Sequence, residues 1–181
     1  MSEQRDQSAA VPVAGHIDSP VATMYFPVSL LKLAVMSICT LGVYELYWYY
    51  KNWCAIKERG EPEIMPLGRA FFAPLFCYSL FSKIRATAKS RAIQDPVPAG
   101  LLAAGWIIFT ILGRLPDPYW LVSMLSIAFL LPVQEAVNEI NLVVSPKHNP
   151  NSAFTKWNLL AVVVGGLFLA LILVAEFLPS K

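Results

Sequence analysis

Long apolar runs alternate with short polar loops over most of the chain beyond residue 25. A helix rises about 1.5 Å per residue, so about 20 consecutive apolar residues are needed to cross the hydrocarbon core of a bilayer. Three of the runs exceed that length, a further run just reaches it, and the second run along the chain is short. The five apolar segments occupy residues 27–50, 67–81, 98–115, 119–144 and 157–178.

The composition of the chain agrees with this pattern. Hydrophobic residues make up 56% of the 181 residues and charged residues only 14%, whereas a soluble domain carries about 25% charged residues. We therefore predict an all-α integral membrane helical bundle with about four transmembrane helices plus a short re-entrant or interfacial helix, in a single membrane domain over residues 26–181. Residues 1–25 contain charges and prolines but no apolar core, which predicts a disordered polar tail and not a signal peptide.

Positive charges are concentrated in three of the loops. They are Lys51, Lys57, Arg59 and Arg69 around the first loop, Lys83, Arg85, Lys89 and Arg91 in the second, and Lys147 and Lys156 around the last. Positive residues stay on the cytoplasmic side of a membrane protein, so these loops are predicted inside and the turn near Pro116 outside. A net charge of +2 is too small to indicate nucleic acid as a partner.

The second apolar segment conflicts with this orientation if it is an ordinary crossing. It is about fifteen residues long, with Pro74 near its middle and a base at each end, Arg69 and Lys83. A re-entrant or interfacial helix fits these features and keeps both neighbouring loops in the cytoplasm. A full crossing, which would export one strongly basic loop, is the alternative.

The first apolar segment is interrupted at its middle by residues 40–42, TLG, where glycine permits the chain to leave the helix. One interpretation is a full span with the N-terminus outside. The other is a hairpin, in which residues 30–38 enter the membrane and residues 43–53 return, with the N-terminus inside. Both interpretations place residues 51–59 in the cytoplasm.

The second half of that segment is rich in aromatic residues, whose rings point to almost every side of a helix. A binding site would gather rings on one face, whereas an interfacial belt places Tyr and Trp at headgroup depth regardless of face, so a belt is favoured. Its predicted anchors, with those of later segments, are Tyr47, Trp48, Tyr50, Trp53, Tyr119, Trp120 and Trp157. Glu45 lies among the rings and is a candidate intramembrane site residue. We expect it to pair with Lys51 or a base of the second loop, or to stay protonated.

The stretch TLGVYELYWYYKNW at residues 40–53 resembles the signature of small bacterial multi-pass membrane proteins grouped as a domain of unknown function. Later stretches also look like that group: PLGRAFF at residues 66–72, LPVQEAVNEIN at 131–141 and PNSAFTKWN at 150–158. The resemblance covers most of the chain beyond residue 25 and implies a bacterial inner-membrane protein. It implies no reaction and supplies no site residues.

The fourth apolar segment carries the strongest candidate for a polar intramembrane site. Its polar residues, which follow Pro132, are Gln134, Glu135, Asn138, Glu139 and Asn141. At about 100° per residue the three amides form one stripe of the helix and the two carboxylates form the next. Inward carboxylates on a helix kinked by proline would suit a transporter or a proton path. Interhelical hydrogen bonding with an amphipathic cytoplasmic end is the plainer interpretation, and we favour it.

Catalytic chemistry has little support in the sequence. No HExxH, GxSxG, Walker A or GxGxxG motif occurs, and the three cysteines form no CxxC pair, so we predict no catalytic residue, no metal site and no cofactor. The leading hypothesis is a non-enzymatic scaffold or interaction protein of the bacterial inner (cytoplasmic) membrane. Its basic loops would bind anionic lipid headgroups of the bilayer, and it would have a protein partner or form a homo-oligomer. The alternatives are a small transporter or channel subunit with its polar site on the fourth long helix, and a lipid-modifying enzyme.

Overall fold

A computed structural model describes residues 23–93 and 98–177 of this chain. The regular structure in these ranges is helical. Residues 1–22, 94–97 and 178–181 lie outside the described residues, and most of the predicted tail lies there. Within the described ranges the chain forms seven α-helices and one 3₁₀ helix and no β-strand, so the prediction of an all-α chain is confirmed. The α-helices are α1 (Leu30–Cys39), α2 (Val43–Glu58), α3 (Pro66–Phe71), α4 (Ala73–Ser90), α5 (Ala99–Leu112), α6 (Ile127–Val144) and α7 (Lys156–Phe177), and the 3₁₀ helix, Tyr119–Ser126, directly precedes α6.

Helices α1 and α2 form a hairpin. After α1, Leu41 and Gly42 adopt positive φ angles of 50° and 85°, and the second of these is a conformation that glycine accepts without strain. The start of α1 then lies beside the middle of α2, because the backbone N–H of Phe26 donates to Asn52 at 3.1 Å. The chain therefore turns back at Gly42, as in the hairpin interpretation of the first apolar segment.

Helices α3 and α4 form a second reversal of the chain. Glu61, before α3, makes an ion pair with Lys83 of α4, so the chain between them leaves one end of the bundle and returns to it. The guanidinium of Arg69 in α3 lies 4.4 Å from the ring centroid of Trp53 in α2. The sequence places Pro74 near the middle of the second apolar segment. In the structure it occupies the first turn of α4, where its missing N–H removes no helical hydrogen bond.

Helix α5 pairs with the continuous unit formed by the 3₁₀ helix and α6. Gly105 of α5 allows a close approach here, because a Cβ atom at this position would overlap the ring of Phe129. Helix α6 then runs back to the beginning of the described chain, where Asn141 binds the backbone of Met24 and Tyr25. These two residues, which the sequence assigns to the end of the polar tail, are therefore part of the packed structure, and Tyr25 is buried.

Helix α7 lies at the edge of the bundle and packs on α1. Gly165 makes the contact, since a Cβ atom there would overlap the carbonyl oxygen of Cys39. All side chains described in α7 are exposed or half-buried. Two helices of the described chain are long and apolar enough to cross a membrane, Tyr119–Val144 and Lys156–Glu176, whereas α1 and α5 are apolar but shorter.

The core is built around one face of α2. Trp48, Tyr49 and Trp53 are fully buried, and the Tyr49 ring contacts Phe81 of α4 and Trp106 of α5. Buried positions in α2 recur every three or four residues, the period of a helix face packed against neighbours. The prediction of Trp48 and Trp53 as interfacial anchors is therefore wrong, since neither side chain reaches the surface. The other predicted anchors are Tyr47, Tyr50, Tyr119 and Trp157, which are exposed, and Trp120, which is half-buried.

Replacing Gly165 with alanine is expected to destabilise the protein by about 1–3 kcal/mol, because the added methyl group meets backbone that cannot rotate aside. Gly166→Ala is the matched control. A Cβ atom there would have no neighbour nearer than 4.0 Å, and alanine favours the helix by up to about 1 kcal/mol. The free energy of unfolding in detergent should fall for Gly165→Ala only, and equal effects would contradict the contact between α7 and α1.

Candidate functional site

The stretch before α1, residues 23–29, has neither helical nor strand structure, yet it lies inside the bundle. Tyr25 and Val28 are 2% and 0% exposed. A buried backbone outside a helix or sheet needs other partners for its N–H and C=O groups, since each group left unpaired costs about 1–3 kcal/mol. Side-chain amides from α2, α6 and the last loop supply those partners.

Asn141 of α6 pairs with the first residues of this stretch. Its Oδ1 accepts hydrogen bonds from the N–H groups of Met24 at 2.9 Å and Tyr25 at 3.0 Å. Its Nδ2 donates to the carbonyl oxygen of Tyr25 at 3.0 Å. One fully buried amide thereby satisfies three backbone groups, as a neighbouring β-strand would do in a sheet.

Gln134 and Asn138 hold the later residues of the same stretch. The amide nitrogens of both side chains donate to the carbonyl oxygen of Val28, at 3.1 and 3.0 Å. Gln134 also donates to Asn138 Oδ1 at 2.8 Å, and its Oε1 accepts a hydrogen bond from Trp48 Nε1. Trp48 is therefore a buried donor that positions Gln134.

Asn52 of α2 and Asn151 of the last loop complete these contacts. Asn52 accepts from the N–H of Phe26. Asn151 donates to the Pro27 carbonyl at 3.0 Å and accepts from the Lys32 ammonium at 2.8 Å, and its φ of 50° is one that asparagine adopts more often than most residues. We call these five side chains the amide network: Asn52, Gln134, Asn138, Asn141 and Asn151. The network joins α2, α6 and the last loop to one stretch of backbone.

The fold divides the predicted polar site of α6 into two parts. Its three amides face inward, whereas Glu135 and Glu139 are exposed on the outside of the bundle. The hypothesis of inward carboxylates on this helix is therefore wrong. The reason lies in hydrogen-bond chemistry, because an ionised carboxylate only accepts, while the carbonyl oxygens of Tyr25 and Val28 need donors.

Three residues of this site, Asn52, Asn151 and Lys32, are not among those that the sequence predicts. A signal exists for Asn52, which lies four residues after Trp48 and so shares its buried helix face. Lys32 gives another signal, since a base inside an apolar run needs oxygen partners when it is buried. It is 2% exposed, and its ammonium donates to Asn151 and to the carbonyl of Ala153 at 2.8 Å.

Glu45 is buried near the start of α2, with an exposure of 5%. Its Oε2 accepts from Trp106 Nε1 at 2.7 Å, and its Oε1 accepts from Ser126 Oγ at 3.3 Å. No Lys, Arg or His nitrogen of the described residues lies within 4.0 Å of this carboxylate. The expected pairing of Glu45 with Lys51 or with a base of the second loop is therefore wrong. Glu45 lies near the start of α2, whereas Lys51 and the bases of the second loop lie closer to its other end.

A cavity of about 510 Å³ lies beside Glu45. It is bounded by the turn of the first hairpin at Leu41 and Gly42 and by the turn after α5 at Arg114, with mostly apolar side chains between them. Ser37 also lines it and is 3% exposed, and the Ser37 hydroxyl has no hydrogen-bond partner among the described residues. A concave, mostly apolar site with a few polar groups is typical of small-molecule binding.

The described residues offer little for metal or redox chemistry. No three His, Cys, Asp or Glu side chains in this part of the chain are grouped so as to hold a metal ion. Cys39, Cys54 and Cys77 are free thiols. The chemistry that the site does offer is hydrogen bonding, a buried carboxylate and an apolar cavity.

Comparisons with protein-family models, with curated proteins and with solved structures found no match to this chain. Membership of the bacterial membrane-protein group that the motifs resemble therefore stays a prediction. Three of the four motif stretches do meet in the structure, since residues 40–53, 131–141 and 150–158 all contribute to the amide network. Their polar residues thus have a common structural role.

Replacing Asn141 with alanine is expected to destabilise the protein by about 2–4 kcal/mol, because it leaves several buried backbone groups without partners. Glu139→Ala on the same helix is the control and should change stability by no more than about 0.5 kcal/mol, since Glu139 is exposed. Denaturant unfolding in detergent measures both effects, and chymotrypsin cleavage after Tyr25 reports release of the stretch. Equal stability of the two variants would contradict the role of the amide network.

Proposed function

We propose that this chain is a multi-pass protein of the bacterial inner membrane that acts as a non-enzymatic scaffold or interaction protein. The observation that carries the proposal is the surface of α7, whose 22 residues expose apolar side chains over more than half of the helix circumference, including Leu159, Val164, Leu167 and Phe168. A helix that is apolar all round needs lipid or protein around it. Because α1 covers only a strip of α7, the remaining surface is available to lipid, to a protein partner or to a second copy of the chain.

In this proposal α5, the unit of the 3₁₀ helix with α6, and α7 cross the membrane. The hairpin of α1 with α2 and the reversal of α3 with α4 enter from the cytoplasmic side and return to it. Helix α1 has ten residues, about 15 Å of helix, which reaches halfway through a hydrocarbon core of about 30 Å. The ion pair between Glu61 and Lys83 supports the return of α4. This arrangement has the N-terminus inside, and a bundle of four full spans is the alternative.

The end of the bundle around Tyr25, which we call the basic end, is proposed to face the cytoplasm. Arg59 of α2 lies 4.5 Å from the centroid of the Tyr25 ring, and the Tyr25 hydroxyl lies 2.9 Å from Thr87 Oγ1 of α4. Besides Arg59, which is exposed as well, the exposed bases at or near this end include Lys57, Lys89, Arg91 and Lys147. Such a cluster fits anionic lipid headgroups, and the excess of positive charge favours a cytoplasmic orientation.

A small transporter or channel subunit is the second candidate, favoured by the position of Glu45 beside its cavity. Acids at membrane depth that face a cavity are typical of ion or substrate paths. Such a path would lie between the first hairpin and α5. Helix α6 is less suitable for such a path, because its amides bind backbone groups and its carboxylates lie on the outside of the bundle.

Replacing four of these exposed bases, Lys57, Lys89, Arg91 and Lys147, with glutamine is expected to weaken binding of phosphatidylglycerol by up to about 1 kcal/mol per base, roughly fivefold for each. Arg114→Gln, at the other end of the bundle, is the control and should leave this binding unchanged. Native mass spectrometry of the solubilised protein with short-chain phosphatidylglycerol counts the bound lipid. If the quadruple variant binds as much lipid as the native protein, the proposed partner is wrong.

A further inference from the structure

We propose that the cavity beside Glu45 binds a primary ammonium group attached to an apolar body. The cavity is lined by residues of the first hairpin, α5 and the 3₁₀ helix. Three features of its lining support this ligand: a buried carboxylate without a basic partner, a buried hydroxyl without a hydrogen bond, and walls that are apolar and aromatic. This binding function goes beyond the scaffold function and does not depend on it.

Glu45, in its ionised form, provides the negative charge with which a cationic ligand would pair. Trp106 and Ser126 each donate to one of its carboxylate oxygens, which leaves further lone pairs on both oxygens. A buried charge is costly unless it is paired. Arg114 also lines the cavity, but its side chain is exposed, so water and salt screen its charge. A cationic ligand would complete the pairing of Glu45.

Ser37 favours a ligand that can donate hydrogen bonds. Its hydroxyl oxygen is buried beside the cavity without a partner among the residues that the structure describes. A serine hydroxyl has two acceptor lone pairs, and a primary ammonium has three N–H donors. A primary ammonium therefore has enough donors for both Glu45 and Ser37, whereas a quaternary ammonium has no donor to offer either of them.

The remaining lining suits an apolar body next to the ammonium. Ile38, Leu46 and Met124 line the cavity together with Trp106 and Trp120, and the faces of indole rings attract cations. The volume of about 510 Å³ is within the usual range for small-molecule sites. Two sources share this chemistry, namely the headgroup of an aminophospholipid and a soluble alkylamine.

Binding of hexylamine to the full chain in detergent tests this proposal, with tryptophan fluorescence as the readout because Trp106 and Trp120 line the cavity. The native protein is expected to bind hexylamine about tenfold or more tightly than hexanol or hexyltrimethylammonium, since the first lacks the charge and the second lacks the donors. Equal affinity for hexylamine and hexanol would overturn the proposal. This comparison uses the native chain and so does not depend on how any variant folds.

Variants of the two polar residues locate the binding. Glu45→Gln keeps an acceptor for Trp106 and is expected to lower hexylamine affinity by about tenfold or more, and Ser37→Ala should lower it by about three- to tenfold. Glu135→Gln is the control, because this acid lies on the exposed face of α6. Hexylamine affinity that is unchanged in both cavity variants would contradict the assignment of the site.

The lipids that remain on the purified protein distinguish the two sources of the ammonium group. Phosphatidylethanolamine retained by the native protein and lost in Glu45→Gln, measured by mass spectrometry, would support a lipid headgroup. Hexylamine binding without such retention would support a soluble amine. Failure of the binding experiments leaves the scaffold proposal intact, since phosphatidylglycerol binding at the basic end tests that proposal separately.

Discussion

Buried backbone without regular structure is the constraint on which this fold depends. Residues 23–29 pass through the bundle as neither helix nor strand, so their N–H and C=O groups need partners from other parts of the chain. In a membrane the demand is stricter, because non-helical backbone is tolerated only where protein or a water-filled cavity surrounds it. Side-chain amides meet the demand, since each offers a donor and an acceptor. Asn141 uses both for Tyr25.

The amide network also determines where the neighbouring elements lie. Gln134 binds Val28 and accepts from Trp48, so α6 and α2 are both fixed against the same backbone. Asn151 binds Pro27, which brings the last loop, and with it the beginning of α7, to the start of α1. The network lies towards the basic end of the bundle, whereas the Glu45 cavity lies by the turn of the first hairpin. The amide network and the candidate binding site at Glu45 therefore lie at different positions along the same helices.

Local features of the sequence predict the helices but not which of their side chains turn inward. The apolar runs predict an all-α chain, and glycine at position 42 predicts a break, because both depend on nearby residues alone. Trp48 and Trp53 have the same residue types as an interfacial belt. Only the packing of distant helices on α2 decides that they are core, since Gln134 of α6 binds Trp48 and Arg69 of α3 covers the Trp53 ring. Gln134 and Glu135 are adjacent in the chain. The amide turns inward because it meets backbone 106 residues away, a contact that no local pattern shows.

Labelling of single cysteines in intact cells tests most directly the central claim, that the hairpin of α1 with α2 and the reversal of α3 with α4 both return to the basic end of the bundle. In a chain whose native cysteines are replaced by serine, Lys57→Cys, Lys89→Cys and Lys147→Cys probe the basic end, and Asp117→Cys probes the turn after α5. We predict that a membrane-impermeant maleimide labels only Asp117→Cys from outside and labels the other three after the membrane is opened. Labelling of Lys89→Cys from outside, while Lys57→Cys stays protected, would mean that the chain crosses between them and would contradict the claim.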